Sequence, residues 1–215
     1  MMPEPIESLN EKILQINSLI KELEPEFQRK PPRGDRERIR FPWGTIQTAS
    51  AYRRYFPFII DGLLNSNIAF ILQLTDVLNW IINWFDIKGV AKDMMIKNAV
   101  LLFTCVMEGM AYDFVKYCVP EQVNKNYNKN LKKLLKFEII NQDQYADFEK
   151  CRCMRNDIHL HRLNIPELDK YTLIDYNFAL RCVIKMRDIF TAYYQSNFLN
   201  KKGRNLYHPL QFPKP

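Results

Sequence analysis

The chain has 215 residues, of which 47% are hydrophobic and 26% charged, with a formal net charge of +7. That balance excludes a disordered chain and is enough for one domain of ordinary size with a real core. The basic excess suits a polyanion partner, because Lys and Arg displace condensed counterions from phosphate backbones. With only 6 Gly and long periodic segments, helices are favoured over a turn-rich β fold.

The opening residues, MMPEPIESLNEK, are acidic and polar and do not read as a signal or transit peptide. Ile6, Leu9, Ile13, Ile16, Leu19, Ile20 and Leu23 then recur at helical spacing, so a helix is expected over 4–24, ended by Pro25. The stretch Glu26 to Gly44, EFQRKPPRGDRERIRFPWG, reads as a linker. Its Arg29, Lys30, Arg33, Arg36, Arg38 and Arg40 fit either a solvated connector or a basic arm on a phosphate backbone. Residues 1–42 are therefore read as an N-terminal amphipathic helix and basic linker, and residues 43–215 as one helical domain.

Within that domain a short helix is expected over Ile46–Phe56, ended by Pro57, and a strongly apolar, central helix over Ile68–Phe85. The apolar stretch Phe58 to Phe85 is broken by Asp61, Asn65, Asn67, Gln73, Asp76, Asn79 and Asn83, so no membrane span is expected there. Val90–Tyr117 places Ala91, Met94, Met95, Ala99, Leu102, Phe103, Val106, Met110 and Phe114 on one face, a Met-rich pattern that belongs to a core. Pro120 stops it. Leu131, Leu134 and Leu135 mark a short helix, and Gln142 to about Leu160 the next, broken by Asn164-Ile165-Pro166. Thr172 and Asp175 have capping spacing and open a long helix through Tyr193. The fold class expected is an all-α helical bundle with an N-terminal helical arm. The odd set of five cysteines, Cys105, Cys118, Cys151, Cys153 and Cys182, is read as reduced thiols of a cytoplasmic protein.

One segment is loaded with chemistry: Cys151-Arg152-Cys153-Met154-Arg155-Asn156-Asp157-Ile158-His159-Leu160-His161-Arg162. Two of the chain's 3 His lie in it. At about 100° per residue, Phe148, Cys151, Met154 and Ile158 form an apolar stripe, with Arg152, Arg155 and His159 on its margin. Guanidinium groups and an imidazole beside an apolar stripe are best placed at a seam between helices or between chains. His exchanges protons near neutral pH, and Arg matches phosphate with its planar fork. Together with Asn they suit RNA transesterification. A base takes the 2′-OH proton, the 2′-oxygen attacks the adjacent phosphate, and Arg stabilises the charge that builds. That chemistry asks for no metal or other cofactor. A zinc site from Cys151, Cys153, His159 and His161 is disfavoured, since on one helix these point in different directions.

Arg155-Asn156-Asp157-Ile158-His159-Leu160-His161 resembles the HEPN motif, an Arg, then a polar residue often Asn, then His after four to six positions. The context is similar too. Leu131-Lys132-Lys133-Leu134-Leu135-Lys136 resembles the helix before the motif helix, and the helix from Thr172 resembles the last of that bundle, so that the resemblance covers roughly Asp86 to Ser196. It implies a dimeric, metal-independent endoribonuclease of a prokaryotic defence or toxin–antitoxin system, with a composite site at the dimer seam. Catalysis would fall on Arg155 and His161 with Asn156 in support. His159, in register with Arg152, is the competing choice of His. Arg152 and Arg162 would hold flanking phosphates. The implied partners are RNA, a second copy of the chain and a protein partner such as an antitoxin. The alternative is a non-catalytic HEPN-like binding or dimerisation module, or a buried polar knot that only fixes the helix hairpin.

Overall fold

In the computed structural model, residues 6–27, 43–156 and 171–199 are described. The described residues are helical or connecting, with no strand among them. The chain divides into two units, Met1–Phe41 and Pro42–Pro215.

The first unit holds α1, Ile6–Phe27, which runs past Pro25 instead of stopping at it. A proline this near the end removes only one late backbone hydrogen bond, so the last turn survives it.

The second unit opens with a 3-10 turn, Trp43–Thr45, and α2, Ala49–Arg54. The Thr48 hydroxyl caps α2 by accepting from the Ala51 N–H at 3.1 Å, so this helix is shorter than the apolar pattern predicts. Next, α3 spans Gly62–Trp84 and begins earlier than predicted. The Asp61 carboxylate sets its start by accepting from the N–H groups of Leu63 (3.0 Å) and Leu64 (3.1 Å), satisfying first-turn donors that have no partner within the helix. The remaining helices are α4, Val90–Cys118, α5, Tyr127–Lys136, α6, Gln142–Asn156, and α7, Leu173–Tyr194. A π-helical turn, Gln195–Leu199, follows α7. The Asp175 carboxylate accepts from both the N–H (2.8 Å) and the hydroxyl (2.9 Å) of Thr172, which fixes the start of α7 where the capping spacing predicts it.

Helix α4 is the axis of the bundle, in contact with α3, α5, α6 and α7. By length and composition alone it could cross a membrane, but its apolar side chains, from Ile96 through Phe103, Met107 and Met110 to Phe114, are buried by these neighbours. Phe114 stacks on Phe190 of α7 with ring centroids 4.1 Å apart, and Phe58 meets both rings edge-on at 6.0 and 5.5 Å. Gly109 lets α3 approach, since a Cβ there would lie 3.2 Å from Leu64 Cδ1.

Buried carboxylates tie the irregular segments to this frame. Asp76 accepts from the Tyr52 hydroxyl at 2.7 Å and the Gln47 N–H at 3.0 Å, joining α2 and the chain before it to α3. Asp113, 1% exposed, accepts from the N–H groups of Ile60 (2.8 Å) and Asp61 (3.2 Å). An Asp113→Ala change removes both acceptors and strands these donors. Urea denaturation is expected to register a loss of about 1–3 kcal/mol, and Asp113→Asn, which keeps one acceptor, a smaller loss.

Three of the five cysteines, Cys118, Cys151 and Cys182, are buried, Cys105 and Cys153 are exposed, and all five are free. Burial pushes the Cys118 thiol up to about 11. A hydrogen bond to Cys182, and then burial, raise that of Cys151.

Candidate functional site

The apolar stripe of α6 seats the helix. Phe148 and Cys151 are fully buried, and Met154 packs against the core. That seating leaves Arg152 and Arg155 half-buried on the margin that helical spacing predicts, with Arg155 reaching α4.

There each guanidinium meets a carboxylate. Arg155 Nη1 donates to Glu108 Oε1 of α4 across 47 residues of sequence. Arg152 Nε donates to Glu149 Oε1 and Oε2, both at 2.9 Å. Glu149 also accepts from Asn128 Nδ2 of α5 at 2.6 Å. The Arg155 side chain is 37% exposed and that of Glu108 25%, so the pair is half-buried where α4 and α6 pack. One bond through Nη1 does not exhaust a guanidinium with five N–H donors, so Arg155 can serve both Glu108 and a phosphate.

Electrostatics distinguish the two acids. Burial raises the Glu108 carboxyl above the ordinary carboxylate range, although Arg155 and Arg152 both pull it down. The hydrogen bond from Arg152 holds Glu149 below that range. Burial also raises the Cys105 thiol one turn before Glu108, against the pull of Arg155.

The raised Glu108 carboxyl fixes a sign. Between the ordinary carboxylate range and its raised value, the folded chain holds a proton that the unfolded chain has released. Stability therefore falls as pH rises through that window. Glu108→Gln removes this one titration and leaves the others in place. Urea midpoints from pH 4 to pH 7 are expected to show the variant gaining on wild type as pH rises; a gap that stays constant would contradict this.

The two ends of the interval 157–170 are tied together. The Tyr171 hydroxyl, from a ring 2% exposed, donates to the Met154 carbonyl at 2.9 Å, satisfying one of the last carbonyls of α6. Of the residues singled out from sequence, the structure thus brings Arg155 to Glu108 and places Arg152 one turn earlier, beside Glu149. Asn156 is the last residue of α6, and its side chain lies outside the described residues. His159, His161 and Arg162 lie outside them as well, as do residues 28–42 of the basic linker, the break at Asn164-Ile165-Pro166 and the tail with His208.

Glu108 escaped the reading of the sequence. Its signal was its place, since Glu108 and Asp113 are the only acids between Asp93 and Glu121, and α4 is the most buried helix. A carboxylate held there needs a partner.

The fold is an all-α helical bundle in which two arginines of the sixth helix are each paired with a carboxylate. No family model matches the chain, and neither a search of curated proteins nor one of solved structures gives a match.

Proposed function

We propose that the protein is a metal-independent, HEPN-like endoribonuclease of a prokaryotic defence or toxin–antitoxin system, acting in the cytoplasm on single-stranded RNA. The observation that carries this reading is the Arg155 guanidinium, steered by Glu108 yet open to solvent, one residue before the chain enters its His-bearing stretch. In this reading Arg155 anchors the scissile phosphate and stabilises its developing charge. His161, or His159 in the competing register, takes the 2′-OH proton and then protonates the leaving 5′-oxygen. Asn156 supports them, Arg152 and Arg162 hold flanking phosphates, and a second copy completes the site. Glu108 is a positioning residue, acting through Arg155.

The test is cleavage of single-stranded RNA in EDTA, with end-group analysis for 2′,3′-cyclic phosphate. Wild type is compared with Arg155→Ala, His161→Ala and His159→Ala. Equal activity in all four removes the assignment.

A specific observation favours a second reading. Arg155 is engaged by Glu108, as a polar lock between α4 and α6 requires, and Arg152 holds Glu149, which accepts from Asn128 of α5. The protein would then be a non-catalytic helical module that binds a partner subunit. Capture of a protein partner together with no RNA cleavage under any condition selects this reading.

A further inference from the structure

We propose that α1 is a self-association helix, through which two copies of this chain pair as a parallel, two-stranded coiled coil.

Leu9, Ile13, Ile16, Ile20 and Leu23 alternate at spacings of four and three, with Ile6 continuing the register toward the N-terminus. Taken as a heptad, the a positions are Ile6, Ile13, Ile20 and, at the end of the helix, Phe27, and the d positions are Leu9, Ile16 and Leu23. Ile at a with Leu at d is the combination that favours two parallel strands. At 22 residues α1 is just over three heptads long, near the shortest length at which such a seam holds. The d positions Leu9, Ile16 and Leu23 are 41%, 54% and 44% exposed, and the a positions Ile13 and Ile20 are half-buried. A lone helix of this length is marginal in water, and burying its apolar face supplies most of its stability.

The flanks agree with a second copy as the occupant. In a parallel, in-register pair, each g position faces the e position of the partner's next heptad. Here Lys12 faces Asn17, and Leu19, widening the apolar strip, faces Glu24; no like charges oppose one another. Pro25 falls at f, on the outer face, where a distortion leaves the seam intact. Of the apolar side chains, only Leu14 lies off it, at b. This pairing uses none of the residues of the nuclease reading, and it would supply the second copy which that reading calls for.

The experiment is sedimentation velocity on the full-length chain. Wild type is expected to run as a dimer at micromolar concentration. The double variant Ile13→Asp, Ile20→Asp should run as a monomer of half the mass, with the near-UV spectrum of the second unit unchanged. The conservative Ile13→Val, Ile20→Val pair should remain a dimer. Orientation is read from Ile13→Cys in a chain with Cys105→Ser and Cys153→Ser. Mild oxidation should link it into a covalent dimer. A monomeric wild type, a trimer, or a dimer that survives the Asp pair overturns the proposal. So does a dimer broken instead by Phe70→Asp, which would put the interface on α3. Failure of the Ile13→Cys chain to cross-link while still dimeric overturns the parallel register.

Discussion

Arg155→Ala is expected, if the protein is the nuclease proposed above, to lower RNA cleavage by about 10³-fold, the effect of removing one preorganised charge from a transition state. The change has a second consequence, because it strips Glu108 of its cation, and a half-buried carboxylate without a partner weakens the packing of α4 on α6. The informative companion is therefore Arg155→Lys. Lysine keeps a positive charge for Glu108 but lacks the planar fork that grips a phosphate at two points. It should fold like wild type and still cut poorly. Single-turnover rates, with the urea midpoint of each variant, separate the two effects. An Arg155→Lys protein that cuts at the wild-type rate would show that only charge is needed. An Arg155→Ala protein that does so would end the nuclease reading.

Phe114→Ala carries the largest expected cost to stability, about 3–5 kcal/mol. Phe114 is fully buried, stacks on Phe190 at 4.1 Å and takes the edges of Phe58 at 6.0 Å and Tyr193 at 5.6 Å. Truncation leaves a cavity where α4 meets α7, and each lost ring contact adds to the lost burial. Domains of this size hold only about 5–15 kcal/mol in total, so the variant should lie near the edge of folding at physiological temperature. Phe114→Leu, which fills most of the space, should cost markedly less. Urea denaturation followed by tyrosine and tryptophan fluorescence reads both.

The helices were legible where their causes are local. Thr172 and Asp175 announce α7 because a capping box lies within four consecutive residues. The Met-rich face of α4 announces a core because its periodicity runs unbroken from Ala91 to Phe114. The start of α3 was missed because Gly62, Asn65, Ser66 and Asn67 interrupt the apolar pattern, while the Asp61 cap that launches the helix acts through hydrogen bonds with no periodic signature. The site was half legible. Residue type and spacing put Arg152 and Arg155 on the margin of α6, and the structure has them there. Glu108 was out of reach, since its pairing with Arg155 spans 47 residues and depends on how two helices cross.

The bond from the Tyr171 hydroxyl to the Met154 carbonyl has an entropic consequence. It joins the flanks of a stretch of 14 residues, 157–170, that carries two of the three histidines. Bringing the ends of such a stretch together costs free energy that grows with the logarithm of its length, and here folding of the bundle has already met that cost. In the proposed nuclease, a nucleic acid strand bound at Arg155 would not have to meet that cost again.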